Sequence, residues 1–147
     1  MITVKEISAP ETYAIRKAVL RENIPLTEKM DGDFDDSTIH LGVYVDNVLN
    51  CVATFMPHES NHFTGKQYRL RGMATSKEAQ GLGLGRKVLE EAATILKAKQ
   101  IDVLWCNARV VALEFYRKCG YQIIGEEFDV HLVGPHYVMF KMLQDVE

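Results

Sequence analysis

The chain has 147 residues, 47% of them hydrophobic and 25% charged, with a formal net charge of −3, an ordinary globular mixture that fits one folded domain over residues 1–147. A chain of this length buries roughly 70% of its extended surface, so a core forms without disulfides or a structural metal. The mild negative charge excludes a general attraction to nucleic acid or anionic membranes. No run approaches the ~18 apolar residues of a membrane span, and residues 1–6 lack the basic and then apolar pattern of a leader, so a cytoplasmic location is expected.

Ile2 to Ile7 alternates like a strand, and Ser8 or Pro10 then opens a helix in which Ile15, Ala18 and Val19 recur at helical spacing and which stops before Pro25. Asp31-Gly32-Asp33-Phe34-Asp35-Asp36 reads as a solvated acidic loop. Ile39–Val45 and Val48–Phe55 flank Asp46-Asn47, a two-residue hairpin signal. After a polar, broken stretch from Pro57 to Lys66, Gln67–Thr75 is a third strand, with Tyr68, Leu70, Gly72 and Ala74 expected on one face. Val88, Leu89, Ala92, Ala93, Ile95 and Leu96 then mark a helix, and 102–106 a short apolar strand, which together make a strand, helix, strand crossover. A helix over about 110–118 stops at Gly120, before strands near 121–128 and 137–143. The order specifies an α/β chain of the α+β type, a mixed and mostly antiparallel sheet with helices packed on it. Cys51, Cys106 and Cys119 are odd in number and widely spaced, which suits reduced core residues.

The chemistry concentrates at Gln80-Gly81-Leu82-Gly83-Leu84-Gly85, between a strand and a helix. Glycines there let the backbone turn sharply and approach a ligand closely. The open amides of the first helical turn and the positive end of the helix dipole favour an anion, and a pyrophosphate has the right scale. A plain tight connection is the competing reading. The dinucleotide pattern Gly-x-Gly-x-x-Gly is not met by glycines at 81, 83 and 85, and Gly85-Arg86-Lys87-Val88 lacks the ending of a nucleotide phosphate loop.

These residues resemble the GNAT acetyltransferase superfamily, whose loop Arg/Gln-x-x-Gly-x-Gly/Ala is met by Gln80, Gly83 and Gly85. Residues 112–121 resemble the second signature of that family, and the likeness is sharpest from Arg71 to Tyr121. The resemblance implies an acetyl-CoA cleft at the central strand and the helix after it, with Met73, Ala74 and Thr75 holding the pantetheine arm and Gln80, Gly81, Leu82, Gly83, Leu84, Gly85 and Arg86 around the pyrophosphate. Many members carry Asn seven residues before the helix tyrosine. Here Arg109 stands there and Asn107 lies two residues earlier, so either is a candidate CoA contact.

The implied reaction is acetyl transfer from acetyl-CoA to a primary amine, of a small molecule, by direct attack in a ternary complex. It needs a neutral amine, a stabilised oxyanion and a proton for the thiolate. Tyr116 matches the tyrosine that often protonates the CoA sulfur, and amides near Met73 and Ala74 would polarise the carbonyl. The base is sought among His40, His58, His62, His131, His136 and Glu59, with His136 favoured for its place at a strand start. Arg69 and Arg71 are expected on the polar face of the central strand, suited to an acceptor carboxylate. The alternative is a sensor or interaction module that holds acyl-CoA without transfer. Homodimerisation is common in such proteins, although no segment identifies an interface.

Two other patterns are set aside. His58-Glu59-Ser60-Asn61-His62 spells a zinc-protease motif, which needs a helix to bring both histidines onto one face, and Pro57, Ser60, Asn61 and Gly65 argue for a loop, so no metal is expected. Asp31, Asp33 and Asp35 begin a calcium-loop spacing that Asp36 and Gly42 break.

Overall fold

A computed structural model describes residues 1–144. Its strands are β1 (Ile2–Ile7), β2 (Ile39–Val45), β3 (Val48–Pro57), β4 (Gln67–Thr75), β5 (Val103–Arg109), β6 (Gln122–Val130) and β7 (Gly134–Met142). They form a seven-stranded sheet in the order β1-β2-β3-β4-β5-β7-β6. The pairs β1–β2, β2–β3, β5–β7 and β6–β7 are antiparallel and β4–β5 is parallel, which makes the sheet mixed. The helices are α1 (Ala9–Ile15), α2 (Leu84–Ala98) and α3 (Leu113–Lys118).

Two compact units divide the chain: residues 1–56 with 71–92, and residues 57–70 with 93 onward. β4 and α2 each run from one unit into the other.

In the first unit the β2–β3 hairpin turns on Asp46 and Asn47, whose φ values of 49° and 70° give the left-handed turn that matches strand twist. Glu11 starts α1 by accepting the Ser8 N–H at 2.9 Å, and Pro10 sits in the first turn, where a missing N–H costs nothing. α1 then passes into a π-helical turn, Arg16–Leu20. The buried stripe is Ala9, Thr12 and Arg16, whereas Ile15 and Val19 are half-buried and Ala18 is exposed. The expected apolar stripe is therefore displaced, because the helix buries an arginine that has found its partners. α2 follows its pattern: Leu84, Val88, Leu89, Ala92 and Leu96 are at most 3% exposed, and each large member contributes about 1.5–3 kcal/mol by burial.

In the second unit the helix expected over 110–118 is a 3-10 turn, Val110–Ala112, followed by α3. The stretch 58–66 is a loop, so His58 and His62 do not share a helix face. The loop is pinned where the Trp105 indole N–H donates to the His58 carbonyl at 2.9 Å. One side of the sheet here carries Val103, Trp105 and Val138, packed against Phe63, Ile124, Phe128 and Phe140. Cys51, Cys106 and Cys119 are free thiols.

Candidate functional site

In the first unit the end of β4 leads into the glycine loop. Ser76 is fastened to Asn50 of β3 by its N–H (2.8 Å to the carbonyl) and its hydroxyl (2.6 Å to Oδ1). Gln80 folds its side-chain amide back to the Thr75 carbonyl at 3.2 Å, which closes the loop on the end of the strand. Gly81 and Gly83 have φ of +89° and +77°, and a Cβ at either would meet nothing within 4 Å. Glycine is required by the backbone and not by crowding, and the loop faces open space. The first helical hydrogen bond of α2 runs from the Lys87 N–H to the Gly83 carbonyl. The amides of Leu84, Gly85 and Arg86 thus precede the helical ladder, at the positive end of a 15-residue helix. Gly85 lies inside the helix, so the sharp turns belong to Gly81 and Gly83. The Arg86 side chain is exposed and paired with Glu90 at 3.0 Å, one turn along.

Further up β4, Ala74 is buried and Met73 and Thr75 are half-buried. Gly72 has φ +60°, so the strand does not continue as an unbroken pleat, and the even alternation expected from Tyr68 to Ala74 is interrupted there. A Cβ at Gly72 would stand 2.9 Å from Arg16 Nε.

Arg16 belongs to a buried cluster that has no direct signature in the local residue pattern. It is fully buried, and its guanidinium is held by both Asp33 carboxylate oxygens (2.8 and 3.0 Å), the Thr54 hydroxyl (2.7 Å) and the Glu28 carbonyl (3.1 Å). His40 completes the group, with Nδ1 2.7 Å from Thr54 Oγ1 and Nε2 2.8 Å from the Asp33 carbonyl. The acidic loop is thus solvated at Asp31, Asp35 and Asp36 but not at Asp33, which is 5% exposed. Burial alone would raise the Asp33 carboxyl, but hydrogen bonds from Arg16 and the Met30 N–H, with the arginine charge, outweigh it and hold the group below its ordinary range. The available signal was Thr12 and Arg16 at i, i+4, continuing the face of Ala9.

In the second unit Tyr116 is 8% exposed on α3, edge-on to Phe115 (5.2 Å) and Tyr121 (5.6 Å). Burial pushes its hydroxyl well above the ordinary tyrosine range, and the hydroxyl is hydrogen-bonded to Cys106. Cys106 is itself pushed up to about 12 by burial, with the Tyr116 hydrogen bond and the Arg69 charge opposing the rise. Both groups are therefore neutral near pH 7.

His136 is buried at the start of β7, opposite Arg109 in β5. Its Nδ1 lies 2.7 Å from the Gly134 carbonyl. A carbonyl only accepts, so the neutral ring carries its proton on Nδ1 and leaves Nε2 as the proton acceptor. Arg109 and Asn107 are half-buried on β5, Arg109 at the entry to the 3-10 turn. Arg69 lies over the Trp105 ring (5.3 Å) with NH1 3.3 Å from His58 Nδ1. Arg71 is half-buried on β4. His58, His62 and His131 are exposed, as is Glu59. Among the described residues no group of three or more His, Cys, Asp or Glu converges in a metal-binding set, and no helix is long and apolar enough to cross a membrane.

Comparison with known proteins places these features in a family setting. Residues 36–123 match the model of the acetyltransferase (GNAT) domain. The chain is 36% identical over 146 residues, 98% of each chain, to YitI of Bacillus subtilis strain 168, named an uncharacterized N-acetyltransferase. Escherichia coli ElaA superposes with a TM-score of 0.78 at 17% identity, over 96% of this chain and 99% of that one. An aminoglycoside 6'-N-acetyltransferase solved with coenzyme A superposes with a TM-score of 0.76 at 11% identity, over 99% of each chain.

Proposed function

Because the chain belongs to the GNAT acetyltransferase family and is an N-acetyltransferase, we propose that it moves the acetyl group of acetyl-CoA to a primary amine of a small molecule by direct attack within a ternary complex. The observation that carries the cofactor assignment is the loop at 80–86: two left-handed glycines with open space beside them, followed by the free amides of a helix start. This is a fitting seat for a pyrophosphate. Gln80 braces the loop through Thr75, the backbone of 81–86 receives the phosphates, and Met73, Ala74 and Thr75 hold the pantetheine arm. The amides near Met73 and Ala74 polarise the acetyl carbonyl. Asn107 and Arg109 are the further cofactor contacts of this reading.

Once bound, acetyl-CoA supplies a thioester whose carbonyl carbon accepts the amine. The chain's contribution is to deprotonate the amine and to stabilise the oxyanion and the departing sulfur. His136 Nε2 takes the amine proton, and the Nδ1–H bond to Gly134 fixes the ring in the tautomer that does so. Tyr116 gives a proton or hydrogen bond to the sulfur. A thiol titrates near 8.5 and a tyrosine near 10, and burial widens that gap, so complete proton transfer from Tyr116 is uphill and its main service is a hydrogen bond that strengthens as charge builds on sulfur.

Arg69, stacked on Trp105, and Arg71 recommend an acceptor that carries a carboxylate. The test is a screen of amines with acetyl-CoA, read by free thiol release and by product mass. Amino acids and other amino carboxylates should outrun amines lacking the acid group, and Arg71→Ala should lower kcat/KM for the best acidic acceptor by about 10- to 100-fold, the range of a lost charge-assisted contact. Wild-type kinetics in Arg71→Ala with that acceptor would remove the carboxylate from the proposal.

A further inference from the structure

The Arg16 cluster lies outside the machinery assigned above, yet it abuts β4 one residue before Met73. Its hydrogen bonds close into a ring. Arg16 donates to Thr54 Oγ1, the Thr54 hydroxyl donates to His40 Nδ1, His40 Nε2–H donates to the Asp33 carbonyl, and the Asp33 carboxylate receives Arg16. Within that ring each donor faces an acceptor, with the His40 proton on Nε2. Of the guanidinium N–H groups, four donate, to Asp33 twice, Thr54 and Glu28, while the Nε–H is buried without a partner.

A buried unpaired donor costs about 1–3 kcal/mol, so its retention calls for an explanation in the neighbouring structure. The neighbour is Gly72. The place a side chain would take there is filled by Arg16 Nε, with Met30 Sδ 3.2 Å from the same point. Gly72 has φ +60°, and the parallel register of β4 with β5 stops two residues earlier, at Leu70 and Cys106. Past that ladder, the peptide that carries the Met73 N–H follows directly on the point where Gly72 meets the guanidinium.

We propose that Arg16, clamped by Asp33, Thr54 and His40, is a positioning residue: a rigid strut seated on Gly72 that fixes the left-handed turn of β4 and so aims the Met73 amide at the acyl carbonyl. This rests on the reading of Met73 as a carbonyl donor. Lysine cannot replace arginine in the strut, because an ammonium lacks the planar fork that binds Asp33 and Thr54 together.

The test uses the full chain with acetyl-CoA labelled with carbon-13 at the carbonyl. The bound carbonyl stretch is read by infrared difference, and affinities for acetyl-CoA and free coenzyme A are read by calorimetry. In wild type the stretch should fall below that of free acetyl-CoA. In Arg16→Lys and Thr54→Val most of that shift should be lost and the preference for acetyl-CoA over coenzyme A should drop about 3- to 10-fold, the range of one weakened hydrogen bond. Affinity for free coenzyme A should stay within about 2-fold of wild type, because the loop at 80–86 is untouched. Thr54→Ser should restore both readings. Thr54→Val keeps the Asp33 ion pair and serves if Arg16→Lys does not fold. A wild-type shift that persists in the variants overturns the strut and leaves the Met73 reading standing. An unshifted carbonyl in wild type, with coenzyme A still bound, overturns both.

Discussion

A tyrosine buried against a cysteine is a poor free acid, and that determines what Tyr116 contributes. Its hydroxyl is raised by burial and is hydrogen-bonded to the Cys106 thiol. At neutral pH it holds its proton, which suits a group that must face a nascent thiolate without competing as an anion. Tyr116→Phe should therefore lower kcat about 10- to 100-fold while leaving acetyl-CoA affinity within about 2-fold, since only the transition state develops charge on sulfur. Equal losses in kcat and affinity would assign Tyr116 to packing. His136→Gln should lower kcat where the acceptor is largely an ammonium ion and recover as the amine itself deprotonates, because a free amine has no need of Nε2. A uniform loss across pH would remove His136 as the base.

At the scale of elements, the turn after α1 and the loop carrying Asp33 are tied by one buried pair, with side-chain exposures of 0% and 2%. The folded Asp33 carboxyl titrates below its ordinary value, so the pair contributes stability above the usual carboxylate range, near 4, and loses it as the pH falls through the depressed folded value. Urea midpoints measured from pH 7 to pH 2 should show an acid limb in wild type that flattens in Asp33→Asn, which also leaves Arg16 unpaired and should cost about 3–5 kcal/mol at pH 7. Parallel acid limbs in the two proteins would place the acid sensitivity elsewhere. This pair also marks where the sequence stops being readable. Period-2 and helical patterns gave the strands and α2 because apolar burial writes itself into spacing, and the glycines at 81 and 83 announced the loop because their backbone demands them. A buried arginine leaves no such trace. Its partners are 17 residues away at Asp33 and 38 away at Thr54, and Asp33 sits among exposed acids of the same type. The aromatic stack of Arg69 on Trp105 is likewise a product of the β4–β5 register, which joins positions 36 residues apart by a pairing that local pattern does not encode.

For the whole molecule, a chain of 147 residues falls in the size range where unfolding is commonly all-or-none. One cooperative unfolding transition is expected, and ligand energy delivered at the loop should raise it as a whole. At 100 times its dissociation constant, acetyl-CoA adds about 2.7 kcal/mol, and in a chain of this length that lifts Tm by about 5–10 °C. Gly83→Glu should abolish the shift by two routes, an unfavourable side chain at φ +77° and a carboxylate where the pyrophosphate belongs. Gly120→Ala serves as the control for strain alone, since φ there is +92° and it lies at the end of α3, away from the loop in sequence. It should lower Tm without ligand yet keep the acetyl-CoA increment. Loss of the increment in both variants would show that it reports general destabilisation. Absence of any shift in wild type at millimolar acetyl-CoA would remove the loop at 80–86 as the cofactor seat.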